Sequence, residues 1–290
     1  MTLQFSLART ALALLASLVP ALAPAQSTTR AATENDAPAA PRWEAGLAAG
    51  GGYLSDYPGA DESHLRGVVV PVLFYRGPVL RVDQSGIRGR FLDTPDLEFE
   101  LTATAAFDAR NNAARAGMPD LDYLFGVGPQ LVYKGLRGFG APALHLKLRA
   151  LMSTDLHRID ERGFSIDPEL RWHFRPLAGA PDMLTVSLES TFASRGLTKY
   201  FYEVEPGQAT PERPAYRARA GYLGSEATLT WSRQLSPSLR WFVSARGQSF
   251  HGAANASSPL LRSSFNFGAG AGIIWTPWRS ASAADSDAPL

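Results

Sequence analysis

The stretch LHLKLRALM, residues 144–152, alternates apolar and polar side chains with a period of two. Leucine, alanine and methionine occupy one parity, whereas His145, Lys147 and Arg149 occupy the other, and only Leu151 breaks the polar set. Successive side chains of a β-strand point to opposite faces of a sheet, so this period predicts a strand with one apolar and one cationic face. Helical spacing does not fit the stretch.

The same period recurs along most of the chain, most clearly in LEFELTATAAF, FSIDPELRWHF and LTVSLESTF. No helix is predicted after the N-terminal segment. Two breaks, near Asp93–Asp96 and Leu223–Gly224, also fit bulges inside longer strands, so ten strands is the alternative to twelve. Twelve strands in strict alternation would place the long loops 108–122 and 194–214 at the same end as short turns. The twelve predicted strands lie near 43–53, 65–76, 79–91, 97–107, 123–134, 144–152, 164–174, 184–192, 215–223, 225–235, 239–250 and 264–276.

The N-terminal segment has the pattern of a secretory signal. One cation, Arg9, precedes the apolar run ALALLASLVPALA, and Ala23-Pro24-Ala25 fits the small-residue rule for cleavage before Gln26. A membrane anchor is the alternative, but the run is short and contains two prolines. We therefore expect a signal peptide at 1–25, a disordered lead-in at 26–42, a strand-rich domain at 43–278 and a polar tail at 279–290.

The length of the strands and the position of the aromatic residues favour a membrane. Strands of about ten residues are long for a soluble sandwich but match a tilted crossing of the bilayer. Aromatic residues such as Trp43, Tyr133 and Trp278 cluster at strand ends, and short turns alternate with long loops. The chain is thus predicted to be all-β, a closed antiparallel transmembrane β-barrel of 10–12 strands, in preference to a soluble sandwich.

Ten charged residues have the parity of the barrel interior. A charged pore that selects solutes is one interpretation, and a plug of paired side chains in a narrow barrel is the favoured one. Arg175, Arg217, Arg219 and Glu226 share this parity. The ten are Glu98, Glu100, His145, Lys147, Arg149, Asp167, Glu169, Arg171, His173 and Glu189.

Composition excludes several functions. The chain has no cysteine, which excludes disulfides and thiolate catalysis, and its formal charge of +1 gives no reason to expect nucleic acid. None of its five histidines has metal-ligand spacing. His251 lies near serines, and His64 with Asp61 would make an acid/base pair, but neither forms a recognisable catalytic motif. We expect no enzyme activity, no metal and no cofactor.

Several segments together resemble the MipA/OmpV outer-membrane family. Tyr200–Val204 is similar to the family's YFYGV segment, with Glu203 where glycine is usual. The chain departs from typical outer-membrane barrels in having a polar tail after Trp278 in place of a terminal aromatic residue. The remaining segments are YLSDYPGADES (53–63), VPVLFYRG (70–77), DLDYLFGVGPQLVY (120–133), RPAYRARAGYLG (213–224) and ASSPLL (256–261).

The resemblance implies a small barrel in the outer membrane of a Gram-negative bacterium, in contact with lipid and lipopolysaccharide. It also implies a scaffold that brings a lytic transglycosylase together with a bifunctional murein synthase, a penicillin-binding protein. A small porin-like channel and a surface adhesin are the alternatives.

The longest loop is a candidate docking surface, because tyrosine and arginine are enriched at interface hot spots. An aromatic girdle with its flanking loop is the alternative explanation of this loop. The short turns and the lead-in are further candidates for docking. The candidate docking residues of the longest loop are Tyr200, Phe201, Tyr202, Arg213 and Tyr216.

Overall fold

The computed structural model describes residues 41–76, 80–83, 86–89, 94, 96–138, 140–175 and 182–281. The predicted signal peptide, most of the predicted lead-in and the tail from residue 282 lie outside this range. Among the described residues, no helix has the length and apolar character needed to span a bilayer.

Antiparallel strands account for most of the described chain. Ten of them have ten or more residues, and β3 and β4 have four each. One eight-residue helix and two 3₁₀ turns, Ala113–Arg115 and Pro206–Gln208, lie in loops. The elements are β1 (Trp43–Ser55), β2 (Ser63–Arg76), β3 (Leu80–Asp83), β4 (Gly86–Gly89), β5 (Leu97–Ala106), β6 (Tyr123–Tyr133), β7 (Ala143–Thr154), β8 (Ile159–Phe174), β9 (Asp182–Ala193), α1 (Arg195–Tyr202), β10 (Gly221–Ser236), β11 (Leu239–Ser249) and β12 (Phe265–Arg279).

Each strand pairs with its neighbours in the chain, and β12 pairs with β1. The ten long strands therefore form one continuous curled sheet that runs from β5 through β12 to β1 and β2. The β3–β4 hairpin lies between β2 and β5 and is joined to each by two residue pairs. The prediction of an all-β antiparallel fold is confirmed.

Two predicted strand divisions are wrong. One predicted strand is in fact two strands, and two predicted strands are in fact one, so the total of twelve is unchanged. In the described part of the segment 79–91, two short antiparallel strands, β3 and β4, replace the single predicted strand. The segments 215–223 and 225–235 are replaced by the single strand β10. Arg217 and Arg219 therefore lie in the loop before β10 and not on an interior strand.

Strand β10 contains a bulge near Leu223–Gly224, so the predicted alternative of a bulge inside a longer strand is confirmed at this position. Its pairing with β9 shifts register between Tyr222 and Gly224. A Cβ on Gly224 would lie 2.9 Å from the carbonyl oxygen of Ser249 and 2.8 Å from the ring of Phe250. This glycine marks a close approach of neighbouring atoms inside a strand, and not a turn.

Loops of very different length lie at the two ends of the sheet. Because the strands alternate in direction, the connections 134–142 and 237–238 lie at one end, which we call the short-turn end. Four long loops lie at the other end, beside the short β7–β8 connection 155–158, and pack into one layer that contains α1, so the expectation of no helix is wrong. We call this layer the loop cap, and it comprises residues 56–62, 107–122, 194–220 and 250–264.

The sheet places its apolar face outside and its polar face inside. On β7, Leu146 and Leu148 are exposed, whereas His145 and Lys147 between them are buried. On β8, Phe164 is exposed and Ser165 is buried. Other exposed apolar residues of the outer face include Leu65, Val69, Leu73, Leu144, Ile166, Leu188, Phe192, Leu229, Trp231, Val243, Phe267 and Ile273.

Candidate functional site

A network of ion pairs crosses the interior on β7, β8 and β9. The ammonium of Lys147 contacts the carboxylates of both Glu169 and Glu189. The guanidinium of Arg171 donates to Glu169 at 2.6 and 3.0 Å. Glu169 and Glu189 face each other across β8 and β9, and Lys147 supplies the cation between them. Lys147 therefore bridges two carboxylates, and Arg171 supplies a second cation at Glu169.

The network continues toward the loop cap and toward β5. Arg149 donates to Asp167 at 3.1 Å, and the hydroxyl of Ser165 donates to the same carboxylate at 2.8 Å. On the other side, the amide of Gln130 donates to Glu100 at 2.6 Å. Asp167 and Glu100 are almost completely buried, as expected only for carboxylates with bonded partners.

Three further predicted residues lie closer to the short-turn end. Glu98 pairs with Lys134, which follows β6. The Nδ1 atom of His173 lies 3.1 Å from the hydroxyl of Thr185, which shares a hydrogen bond with it. His145 is buried, and its Nδ1 atom makes no hydrogen bond within the described part of the chain.

An apolar cluster fills the opposite side of the interior. Its five buried members come from β1, β2, β11 and β12, and Phe74 and Phe242 are the largest. The ring of Phe242 lies so close to β12 that a Cβ on Gly272 would be 2.7 Å from it. The ion-pair network and this inner apolar cluster together occupy the interior with side chains. The cluster comprises Ala48, Val70, Phe74, Phe242 and Ile274.

A cavity of about 230 Å³ separates the ion-pair network from the loop cap. Cap residues such as Leu197, Phe201 and Phe250 give it an apolar roof. Strand residues, among them Glu189 and Glu226, give it a charged floor. We call this cavity the chamber.

The loop cap has a hydrophobic core of its own. Sixteen buried residues from the four loops and the adjoining strand ends form it, and Leu260, Tyr202 and Val204 are at most 1% exposed. Helix α1 contributes Leu197 and Phe201, which are four residues apart and lie on one helical face. The cap therefore packs as a small apolar body on top of the chamber.

Hydrogen bonds from tyrosines tie the cap loops to one another. The hydroxyl of Tyr202 donates to the carbonyl of Pro58 at 2.9 Å, and that of Tyr57 donates to the carbonyl of Leu260 at 2.9 Å. Burial raises the pKa of both phenols well above the ordinary value of 10, and it raises the pKa of Tyr200 to about 12. These hydroxyls therefore remain protonated donors across the physiological range.

Two buried arginines bond to backbone carbonyls of the cap. Arg115 donates to the carbonyl of Phe201 at 3.0 Å, and Arg213 donates to those of Ala114 and Ala116 at 3.0 and 2.9 Å. Burial lowers the pKa of Arg115 from its ordinary value of 12.5. Each guanidinium links two loops that are far apart in sequence.

The five candidate docking residues of the longest loop lie largely inside the loop cap. Phe201, Tyr202 and Arg213 are buried, and Tyr200 and Tyr216 are half-buried. Aromatic side chains in a long loop bury large apolar areas, and here they do so against the other cap loops. These five residues therefore contribute to the packing that holds the cap together.

Asp56 lies at the junction of the cap and the sheet. Its side chain is fully buried and receives His64 Nδ1 at 2.7 Å, the Arg66 guanidinium at 2.8 Å and the Asn112 amide at 2.8 Å. Burial by itself raises the pKa of this carboxyl, but the hydrogen bonds from Asn112, His64 and Arg66 outweigh it and hold the pKa below 3.8. His64 thus pairs with Asp56 and not with Asp61.

The charged and polar side chains described above bond to other residues of the same chain. Asp56 holds three donors, so its position is fixed by hydrogen bonds rather than by a substrate. Within the described ranges, no three histidine, aspartate or glutamate side chains are placed to hold a metal ion.

These features define the class of the protein: an all-β chain with an apolar outer face, an interior filled by paired charges and apolar side chains, and one end covered by packed loops. The chain belongs to the MltA-interacting protein MipA family, whose sequence model matches residues 47–277. The resemblance seen in the sequence is confirmed by this match. A comparison with curated proteins found no match. The family's name describes an interaction with MltA.

Proposed function

We propose that this protein is a non-catalytic scaffold of the outer membrane of a Gram-negative bacterium. The main observation behind the proposal is that side chains fill the interior of the sheet. Membership of the MltA-interacting protein family adds to it. A narrow barrel whose lumen is occupied by side chains is a rigid body rather than a conduit. Its functional surfaces are then its two ends and its outer wall.

The scaffold is built on a closed transmembrane barrel that follows a cleaved signal peptide. Pairing of β2 with β3, β3 with β4 and β4 with β5 supports closure, because it continues the sheet across the gap between the long strands. Leu65, Val69 and Leu73 project from the outer wall with 82%, 63% and 56% exposure, which suits contact with hydrocarbon. In this proposal, lipid and lipopolysaccharide surround the wall.

The short-turn end faces the periplasm in this proposal. Short turns of bacterial barrels lie on the periplasmic side and long loops outside. Strand β1 begins at Trp43 and β12 ends at Arg279, so both termini of the barrel lie at the short-turn end. Periplasmic enzymes of the cell wall would therefore meet this end.

The proposed partner is a lytic transglycosylase of the MltA kind, after which the family is named. A penicillin-binding protein with murein synthase activity is the second partner that the resemblance implies. Cationic turn residues such as Arg137, which is exposed, offer contacts at the short-turn end. The partially exposed pair of Lys134 and Glu98 lies beside this turn.

The test is binding of the full chain in lipid nanodiscs to a purified MltA-type lytic transglycosylase and to a bifunctional penicillin-binding protein. We expect retention of the transglycosylase and weaker retention for Arg137→Glu. The matched control is Arg217→Glu, an exposed charge reversal in the loop cap. Failure to retain either enzyme, in the nanodisc assay and from crosslinked envelopes, would end the scaffold proposal. A loss confined to Arg217→Glu would place docking at the cap.

A further inference from the structure

We propose that the chamber binds a small organic amine that carries an apolar body. Such a ligand site lies outside the scaffold role and does not depend on it. The chamber has a volume of about 230 Å³ and joins two chemically different surfaces, an apolar roof from the loop cap and a charged floor from the strands. A ligand that fits it needs one charged end and one apolar end.

The floor contains two carboxylates that oppose each other. Glu189 on β9 and Glu226 on β10 are directly paired in the register of these strands, and both line the chamber. Like charges that face each other across two strands are unfavourable. A cation placed between the two carboxylates would relieve that repulsion.

The existing cations leave this pair only partly compensated. Lys147 contacts one oxygen of Glu189 but is also shared with Glu169. Glu226 accepts neutral hydrogen bonds from Thr228 at 2.8 Å and from Gln248 at 2.7 Å, but the nearest guanidinium nitrogen of Arg246 lies 3.9 Å away, at the outer limit of an ion pair. An ammonium group with three donors can bond to both carboxylates at once.

The lining of the chamber as a whole also carries an excess of negative charge. The two other well-formed pairs on the lining, Arg66 with Asp56 and Arg149 with Asp167, each neutralise themselves. In total five carboxylates and three guanidiniums line the chamber, an excess of two negative charges. An anionic ligand would meet repulsion, whereas a cationic one would be attracted. The eight are Asp56, Asp122, Asp167, Glu189, Glu226, Arg66, Arg149 and Arg246.

The roof selects the other end of the ligand. Leu121, Leu197, Phe201 and Phe250 line it, with the ring of Tyr57 beside them. An apolar cavity of about 150 Å³ is large enough for benzene, so the chamber holds one ring with a short chain. A phenylalkyl amine matches the roof, the floor and the volume together.

Isothermal titration calorimetry on the full chain in detergent, with phenethylamine as the probe, tests this assignment. We expect saturable binding of phenethylamine and none of phenylacetate, which has the same ring and the opposite charge. Glu226→Gln should weaken phenethylamine binding roughly tenfold or more, because it removes a charge-assisted hydrogen bond. The matched control is Glu98→Gln, an interior carboxylate that does not line the chamber.

A second variant keeps the test decisive if Glu226→Gln fails to fold. Thr191→Phe leaves every charge in place and extends a ring into the chamber, since Thr191 lines it. Circular dichroism checks that each variant is folded. A second check is a change in gel migration between unheated and heated samples. Absence of phenethylamine binding to the folded wild-type chain, equal binding of phenylacetate, or unchanged affinity in both chamber variants would overturn the assignment.

Discussion

The side-chain amide of Asn112 donates a hydrogen bond of 2.8 Å to Oδ2 of Asp56, 56 positions earlier in the chain. This bond joins the loop after β5 to the end of β1 at a carboxylate that has no contact with solvent. The same carboxylate also holds His64 and Arg66. The loop cap is therefore attached to the sheet through a buried charge, and the strength of that attachment can be measured.

We expect Asn112→Ala to loosen the cap without unfolding the sheet. It removes one donor from a buried carboxylate, which costs about 1–3 kcal/mol. Hydrogen exchange should become faster in residues 56–62 and 109–117 and remain unchanged in β7 and β8. The control is Glu212→Gln, an exposed residue of the same cap. Uniformly unchanged exchange in Asn112→Ala would contradict the attachment.

Acid should release the same attachment. The pKa of Asp56 is lower in the folded state than its ordinary value of 3.8, because its hydrogen bonds outweigh its burial. The resulting stabilisation is present above about pH 4 and is lost as the pH falls through the folded pKa. Exchange in residues 56–62 should therefore rise below pH 4 in the wild type. In Asp56→Asn the exchange should already be fast at neutral pH and should depend less on acid.

Loss of Lys147 should be severe, since it leaves the buried Glu169 and the partly buried Glu189 without their shared cation. We expect Lys147→Met to lower the free energy of unfolding by about 3–5 kcal/mol. Urea titration in lipid vesicles measures this free energy. The folded fraction is read from gels, on which folded and unfolded protein migrate differently. Adding Glu189→Gln should recover part of the loss. Lys134→Met, at a half-exposed pair, should cost less than about 1 kcal/mol.

The inner apolar cluster gives an independent prediction. Phe242→Ala should cost about 3–5 kcal/mol, because it removes a buried ring and leaves a cavity. Val243→Ala is the neighbouring control, on the exposed outer face, and should cost clearly less. The same urea titration compares the two. An equal cost for both variants would show that Phe242 does not anchor the interior.

The filled interior also predicts the electrical behaviour of the protein. In planar bilayers we expect no uniform conductance steps, because ion pairs on one side and Phe242 with its neighbours on the other occupy the lumen. A porin purified in the same detergent serves as the positive control. Reproducible steps of one size would favour the channel over the scaffold.

The alternation of residues 144–152 was sufficient to predict which side chains of β7 face inward. A two-residue period depends only on the local backbone, so the inward position of Lys147 and the outward position of Leu146 and Leu148 followed from sequence. The charged partners on the next strand followed because β7 and β8 are consecutive strands and pair with each other in the antiparallel sheet. The predicted charges on these strands consequently came together.

Contacts between distant loops were not predictable in the same way. Helix α1 has only eight residues, and its buried positions Leu197 and Phe201 provide too short a pattern to identify. The burial of Tyr202 depends on Pro58 and Ser258, which are 144 and 56 positions away. The role of Asp56 was missed for the same reason, although His64 and Arg66 share the parity of a single strand face.

The shared core of the loop cap limits how its segments can diverge or be engineered. Tyr202 accepts a hydrogen bond from Ser258 through its carbonyl and donates one to Pro58 through its hydroxyl, so three of the four segments meet at one residue. A graft that replaces a single segment would strip the others of their packing partners. Chimeras and epitope insertions should therefore succeed when all four segments are transplanted as a set, or when the insertion is confined to solvent-facing positions such as those around Glu212.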